Sequence, residues 1–247
     1  MARISSLLSP TPIFDEAMVT SVVRYRDSDC IVRLFTKNHG RITAFYPRGL
    51  KSSKKGSGVI QSPSFACVSF LPSKQEGMAK LMSCDTHPQS LAFCLSAKSY
   101  FLGSYLSEII EILLPLEEQA GEIFFLSQKI VDLLAISHNL EVYLRAFELK
   151  LLKFTGYLPD LDIDLDQIAA YDPQKGIFLQ EQLPNTVVFS REALNLAKTL
   201  LATPIEELDR TLNTNLLMMI AKIFHIRLRQ INQKPLNSIK FRRYLCS

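Results

Sequence analysis

One stretch of the chain combines cationic and aromatic side chains and holds no acidic residue. No Asp or Glu occurs between Cys30 and Gln75, whereas eight Lys and Arg residues and five aromatic rings lie there. These residues are Arg33, Lys37, Arg41, Arg48, Lys51, Lys54, Lys55 and Lys74, with Phe35, Phe45, Tyr46, Phe65 and Phe70. Cations neutralise phosphates and release counterions, and an exposed ring offers a face on which any base can stack. The pattern predicts a surface that holds a polyanion, with single-stranded nucleic acid as the first candidate.

Charge is distributed unevenly along the 247 residues, although the net value is only +4. Residues 1–80 hold 12 Lys/Arg against 5 Asp/Glu, residues 81–210 hold 9 against 19, and residues 211–247 hold 7 against none. Such asymmetry favours a basic partner-binding surface at each end of the chain and an acidic middle. The alternative, that each run is simply a solvated face, stays open.

Residue constellations typical of enzymes are scarce. The four histidines lie far apart, and the chain has no phosphate-binding loop, nucleophile elbow or dinucleotide fingerprint. The alternating carboxylates of residues 160–166 lack the Gly and Glu spacing of an EF-hand loop, so we interpret them as an acidic linker. Five widely spaced cysteines indicate neither a disulfide framework nor a metal knuckle. We therefore predict a protein that is not an enzyme and that uses no metal or cofactor.

Hydropathy bears on where the protein acts. Apolar residues make up 47% of the chain, but no stretch approaches the roughly 18 to 20 uninterrupted apolar residues of a membrane-spanning helix. The N-terminus also lacks the basic start and compact apolar core of a signal peptide. We expect a cytoplasmic protein with no membrane partner.

Period-two patterns in the first 85 residues predict an all-β unit. The predicted strands are residues 17–25, 30–36, 41–46, 65–71 and 78–83. Lys37–Gly40 forms the turn of a predicted hairpin, whose Gly can take the left-handed conformation. Five short strands with a long basic connection at residues 48–58 fit an OB-type barrel. Strand alternation places Ile42, Ala44 and Tyr46 on one face of the sheet, and Arg41, Thr43 and Phe45 on the other, which is the predicted binding face.

After residue 86 the apolar period changes to about 3.6, which is typical of helices. Predicted helices cover residues 91–113 and 118–136, a segment from the N-cap Asn139 to the C-cap Gly156, segments after Ser190 and Thr203, and residues 213–231. We predict an α+β protein: a five-stranded OB-fold barrel at residues 1–85, then an all-α helical domain at residues 86–247 with a short insertion at about 160–189.

Two motifs carry a resemblance to a known family. The segment DSDCIVRLFTKNHGR at residues 27–41, followed by Ala44 and Arg48-Gly49, resembles the N-terminal signature of the bacterial recombination mediator family RecO. The segment LRAFELKLLKFTGYLPDL at residues 144–161 is similar to the family's second and more specific signature. Asn237-Ser238 and residues 242–245 resemble its closing motif more weakly. Chance seldom supplies two long motifs at the right separation.

The resemblance implies a non-enzymatic role in the RecF recombinational repair pathway. Family members bind single- and double-stranded DNA, anneal complementary strands, associate with RecR, engage the acidic C-terminal tail of single-stranded-DNA-binding protein (SSB) and help to load RecA. The resemblance also implies a nucleoid-associated protein. The alternative from another class is a generic OB-fold protein that binds single-stranded RNA or DNA.

Many members of that family carry a four-cysteine zinc module after the second signature. Here residues 169–189 contain no Cys or His, so we expect this module to be absent or degenerate. We expect the turn at Asp172–Gly176 to keep a β-hairpin without the metal.

The predicted contact residues fall into two sets. For DNA we predict Arg33, Arg41, Arg48, Lys51, Lys54 and Lys55, with Phe35 or Phe45 stacking; barrel core is the open alternative for each Phe. An SSB tail combines carboxylates with a terminal aromatic, so its site should pair an apolar cleft with cations. On helix 140–154 the candidates are Arg145, Phe147, Lys150, Leu151 and Lys153, although the apolar ones would serve equally well as core. The C-terminal basic residues could extend the DNA path or receive an acidic peptide.

Overall fold

The computed structural model describes residues 11–51, 59–73, 77–134, 140–162, 169–179, 182–208, 213–232, 234 and 236–238. Contacts between residues divide the chain into two compact units, and the division falls between Phe125 and Leu126. We describe each unit by itself. The predicted domain boundary at about residue 85 stays a prediction.

Five strands close into a barrel in the first unit. They are β1 (Ile13–Arg24), β2 (Cys30–Thr36), β3 (Gly40–Tyr46), β4 (Ser64–Leu71) and β5 (Ala79–Thr86). The order around the barrel is β1-β2-β3-β5-β4, and only the short β3–β5 pairing is parallel. This closed five-stranded barrel confirms the predicted OB-type fold.

Alternation along each strand decides what fills the barrel. Val32, Leu34 and Ala44 are among the fully buried residues of its core, and Ile42 and Tyr46 pack against that core. Of the two faces predicted for β3, the one with Ile42, Ala44 and Tyr46 is therefore the inner face. Gly40 has a φ of 66°, as the predicted hairpin turn requires, and a Cβ at this position would clash with the backbone of Glu118.

Two helical segments follow the barrel in the same unit. A 3-10 helix (Pro88–Cys94) precedes α1 (Ala97–Leu113), so the single helix predicted from residue 91 to 113 is wrong. The break has a local cause, because the Ser96 side chain caps α1 by accepting a hydrogen bond from the Ser99 N–H at 3.0 Å. Helix α2 (Gly121–Leu134) follows, and the division between the two units falls within it. Helix α1 packs on the outside of β1 and so lies over part of the predicted binding face.

The second unit is mainly helical. Helices α3 (Glu141–Phe154), α4 (Arg191–Ala202) and α5 (Thr214–Ile231) contact one another. Gly156 ends α3 with a φ of 72°, as predicted, and the N–H groups of residues 157 and 158 donate to the Leu152 carbonyl.

Two predicted features of the helical unit are wrong. The N-cap of α3 is Leu140, which makes no side-chain cap, rather than Asn139. The segment after Thr203 forms only a three-residue 3-10 helix, Ile205–Glu207, and Thr203 itself is the C-cap of α4.

A small sheet occupies the segment in which the sequence predicted a β-hairpin without a metal. Strands β6 (Ala169–Asp172), β7 (Ile177–Leu179) and β8 (Val187–Phe189) pair antiparallel in the order β7-β6-β8, which confirms the predicted hairpin. The rings of Tyr171, Phe178 and Phe189 pack together with centroids 5.0, 5.6 and 6.4 Å apart. Since no Cys or His occurs between residues 139 and 224, the donor set for a thiolate-bound zinc does not fit here.

Candidate nucleic-acid interface

The outer face of β1, β2 and β3 is divided into two halves. Strand register places Met18, Phe35 and Arg41 side by side at one end of this face. At the other end the register row runs through Val23, Ile31, Phe45 and Lys80. We call these the covered half and the open half, because their burial differs sharply.

The covered half lies beneath the helical segments of its own unit. Phe35 is 0% exposed, and its ring centroid lies 5.6 Å from that of Phe124. The ring therefore has no face free for a base, which corrects the stacking prediction for Phe35 in favour of the core alternative. Met18 beside it is also fully buried.

Arg41 is held by the chain just beyond α1. Its guanidinium donates to the Leu114 carbonyl, and its own carbonyl accepts a hydrogen bond from the Glu117 N–H at 3.0 Å. Desolvation by burial lowers the pKa of Arg41, partly offset by the charge of Glu111. The Arg41 side chain therefore bonds the segment after α1 to the barrel. This corrects the sequence prediction that Arg41 binds phosphate directly.

Arg33 lies at the border between the two halves. Its Nη1 is 3.0 Å from Oε2 of Glu111 on α1, and the Thr20 hydroxyl donates to the other oxygen of that carboxylate at 2.7 Å. The Arg33 side chain is still half exposed. A phosphate that binds Arg33 must therefore compete with the carboxylate of Glu111.

The open half carries an exposed ring, Tyr25, beside a partly buried one, Phe45. Tyr25 directly follows β1 and is 53% exposed. Its ring lies 6.0 Å from that of the partly buried Phe45, with an angle of 83° between the ring planes. The guanidinium carbon of Arg26 lies 5.3 Å from the Tyr25 ring centroid, within cation–π range.

Backbone and side-chain hydrogen bonds fix the loop that carries Tyr25. The N–H of Tyr25 donates to the Asp29 carbonyl at 3.0 Å, and Arg24 donates to the carbonyls of Arg26 and Asp27. The Asp29 carboxylate in turn accepts from the Arg48 N–H at 2.9 Å. The β1–β2 loop and the turn after β3 are thus joined at one end of the barrel.

Exposed cations occur on the segments that carry or flank this pair of rings. The exposed ones in the described part of this region are Arg24, Arg26, Arg48, Lys51 and Lys80. Arg48 has a φ of 58°, so the backbone conformation at this position is one that few side chains adopt readily. Of the residues predicted from sequence, Phe45, Arg48 and Lys51 lie in this region, whereas Lys54 and Lys55 lie outside the described residues.

The sequence reasoning missed Arg24, Tyr25, Arg26 and Lys80. Asp27 and Asp29 lie beside the first three, so a search for an acid-free stretch began too late to include them. The Asp29 carboxylate caps the neighbouring turn, which uses part of its hydrogen-bonding capacity inside the loop. Lys80 becomes a neighbour of Phe45 only when β3 and β5 pair to close the barrel.

The predicted tail-binding cluster on α3 is not a surface cluster. Phe147 and Leu151 are fully buried, and the buried Arg145 side chain lies 2.8 Å from the Glu148 carboxylate. Lys150 donates to the Leu201 carbonyl at 2.9 Å, and only Lys153 of the five is exposed. This corrects the prediction for Phe147 and Leu151, which form core as the alternative held.

A cavity of about 550 Å³ opens at the β2–β3 hairpin. His39, Arg41 and Phe70 are among its lining residues. The polar groups at its edge already bond to one another, because Asp15 contacts the His39 ring nitrogen at 2.8 Å and accepts from the Asn38 N–H at 3.0 Å. Among the described residues no group of three or more His, Cys, Asp or Glu side chains is arranged to hold a metal ion.

Fold and surface together define the class of the protein: an OB-barrel protein with a basic, aromatic-bearing outer face and a helical C-terminal part. The sequence model described as "Recombination protein O N terminal" matches residues 12–88, and the one described as "Recombination protein O C terminal" matches residues 95–223. The chain belongs to the RecO family.

Individual relatives agree with this assignment. The chain is similar to the DNA repair protein RecO of Syntrophus aciditrophicus, with 33% identity over 162 residues, covering 65% of this chain and 62% of the relative. The protein of the same name from Methylococcus capsulatus is 28% identical and covered to 66% on both sides. That of Coxiella burnetii is 32% identical over 181 residues, which cover 69% of this chain and 75% of the relative.

The matched segment spans slightly less than two thirds of the first two of these relatives. In the part of the chain that the structure describes, no helix is long and apolar enough to cross a membrane.

Proposed function

We propose that this protein is a non-enzymatic DNA-binding mediator of recombinational repair. It binds single- and double-stranded DNA, anneals complementary strands and promotes the loading of RecA. The observation that carries the proposal is the open half of the barrel face, where the exposed Tyr25 ring, the partly buried Phe45 ring and five exposed cations lie on neighbouring segments. Membership of the RecO family supports the assignment to DNA repair.

Phosphate binding is the first part of this function. Arg48 and Lys51 are exposed in the turn after β3, and Lys80 is exposed on β5 beside Phe45, so a strand that crosses the face meets cations from two segments of the barrel. Neutralising phosphates in this way gives affinity that does not depend on base sequence and that falls as salt rises. An annealing protein needs this kind of binding, because it must accept any pair of complementary strands.

The partner contacts are assigned to the helical unit, and we revise their position on it. Lys153, Phe154 and Tyr157 are exposed at the end of α3, in the region of the predicted tail site. Gly156 between them is open on its Cβ side. An acidic tail with a terminal aromatic residue suits this combination of two rings and a cation. The family resemblance further supports RecR as a partner.

The phosphate-binding surface is tested with Arg48→Asn/Lys51→Ala/Lys80→Ala, where Asn tolerates the positive φ of position 48. We expect the slope of log K against log salt for single-stranded DNA to fall by about 2, because each lost phosphate contact removes about 0.7. Annealing of SSB-coated complementary strands should slow in parallel.

The matched control is Lys98→Ala/Lys129→Ala/Lys175→Ala, which removes three cations from α1, α2 and the β6–β7 turn. An unchanged slope in the first variant would reject this surface as the DNA site.

Incubating labelled DNA with the protein and Mg²⁺ tests the non-enzymatic assignment, and cleavage would contradict it.

Tail binding is tested separately with a labelled acidic peptide that ends in Phe. Phe154→Ala/Tyr157→Ala should weaken its binding, whereas Ile177→Ala, which removes another exposed apolar side chain of the same unit, should not. Equal peptide binding by all three proteins would place the tail elsewhere.

A further inference from the structure

We infer that Tyr25 and Phe45 form a stacking site for one unpaired nucleobase, with Arg26 beside it. The inference rests on the proposed function and adds to it the part of the ligand that is bound: the base rather than the phosphate. It also assigns Tyr25, which lies outside the acid-free stretch, to ligand binding.

The first argument is the geometry of the two rings. With centroids 6.0 Å apart and planes at 83°, they form a corner with two aromatic walls. A planar base can lie face to face on one ring while its edge meets the other, and both arrangements are ones that aromatic systems prefer. Each base–aromatic stack is sequence-tolerant, because every base has a π face.

The second argument is that Tyr25 is exposed but held in place. The Tyr25 ring is 53% exposed, so it leaves apolar surface in water. The backbone N–H of the same residue nevertheless donates a hydrogen bond to the Asp29 carbonyl. The hydrogen bonds of Arg24 and Asp29 further restrict the loop. Stacking on such a ring costs little conformational entropy, since the loop is already ordered before the ligand arrives.

The third argument is charge. Arg26 lies 5.3 Å from the Tyr25 ring, and Lys80 is the register neighbour of Phe45. A base that reaches the corner brings its 5′ and 3′ phosphates to within reach of cations on both sides. This complementarity selects a nucleic acid over an uncharged apolar ligand or an acidic helix, which would offer no isolated planar group for the corner.

An unpaired base is required because stacking in a duplex already uses both faces of every internal base. Tyr25 and Phe45 can contact such a base only after it has left the helix, which breaks its pairing and its stacking. The corner therefore adds affinity for single strands and adds little for duplex DNA. This difference gives a physical reason for the protein to prefer single-stranded over double-stranded DNA.

The chain contains no Trp, which allows a direct test. Tyr25→Trp introduces a single indole at the corner, and we expect its fluorescence to be quenched by oligo(dT). An oligomer of equal length made of abasic sugar-phosphate units should bind through its charge without the same quenching. Quenching of equal size by both oligomers, or by neither while oligo(dT) binds, would overturn the inference.

Affinity measurements give a second test. Tyr25→Ala should weaken single-strand binding roughly 5- to 150-fold, which corresponds to the loss of one base–aromatic stack, and should leave duplex affinity and the salt slope unchanged. Tyr25→Phe should retain affinity because it keeps the ring. Tyr100→Ala, which removes another exposed ring of the same unit, is the matched control and should bind like the wild type.

The outcomes separate this inference from the proposed function. Suppose that Tyr25→Ala binds single-stranded DNA normally while Arg48→Asn/Lys51→Ala/Lys80→Ala has a reduced salt slope. The stacking site is then wrong, and the phosphate-binding surface is retained. If Tyr25→Ala weakens single-strand and duplex binding equally, the ring supports the loop rather than a base, and the inference again fails. If both variants bind normally, the open half is not the DNA site at all.

Discussion

The covered and open halves of the barrel face lie on the same three strands and carry similar residue types, yet they have different surroundings. On the covered half Phe35 is packed against Phe124 and Arg41 bonds the Leu114 carbonyl. On the open half Tyr25 and Phe45 pair in partial contact with water, among exposed cations. The difference arises from α1, the segment after it and Phe124 of α2, which pack against the covered half. An outward-pointing aromatic or Arg therefore indicates a ligand surface only where no other element covers it.

The largest expected effect contrasts the two Phe residues. Phe35→Ala should lower the free energy of unfolding by about 3–5 kcal/mol, because it empties a fully buried ring position. Phe45→Ala, on the open half, should cost clearly less, since its ring is only partly buried. Urea denaturation followed by circular dichroism measures both. Equal losses would remove the distinction between the halves.

The next prediction concerns Arg41. Arg41→Ala should destabilise the protein by about 1–3 kcal/mol, because it leaves the Leu114 carbonyl without this donor. Its salt slope for single-stranded DNA should equal that of the wild type. Arg48→Asn has the opposite expected profile, with a reduced slope and little loss of stability. A reduced slope in Arg41→Ala would return this residue to the binding surface.

The smallest expected effect is at the border, where Glu111 holds Arg33. Glu111→Gln keeps a side-chain oxygen for the Thr20 hydroxyl and removes the charge that competes with phosphate. We expect single-strand affinity to rise a few-fold and the salt slope to increase by about 0.7, as one more cation becomes available. Fluorescence anisotropy with a labelled oligonucleotide measures this. Glu122→Gln, an exposed acid on α2, controls for net charge, and an equal gain there would show that Arg33 is not involved.

Most of the barrel could be predicted from sequence because its information is local. Strand alternation identified the inner residues of β3, and the position of Gly40 identified the hairpin. The helical periodicity after residue 86 showed that apolar faces exist. The same periodicity could not show that α1 packs on the outer face of the sheet. An amphipathic pattern indicates that one side of a helix is buried, but it does not indicate which element packs against that side.

The candidate site was harder to predict than the fold for the same reason. Tyr25 and Phe45 are 20 residues apart, and Lys80 is 35 residues further on, so only the closed barrel brings them together. On α3 the charge of Arg145 suggested a surface position. Glu148, three residues later on the same side of the helix, supplies its buried counter-ion and could have indicated burial.

The most direct test of the central claim is hydrogen–deuterium exchange with and without a saturating oligo(dT). If DNA binds to the open half, we expect slower exchange in peptides that cover residues 24–31 and 43–50. We expect no change in peptides that cover residues 14–20 and 36–41. The contrast must disappear in Arg48→Asn/Lys51→Ala/Lys80→Ala at the same DNA concentration. Protection confined to residues 36–41, or to the helical unit alone, would contradict the assignment of DNA binding to the open half.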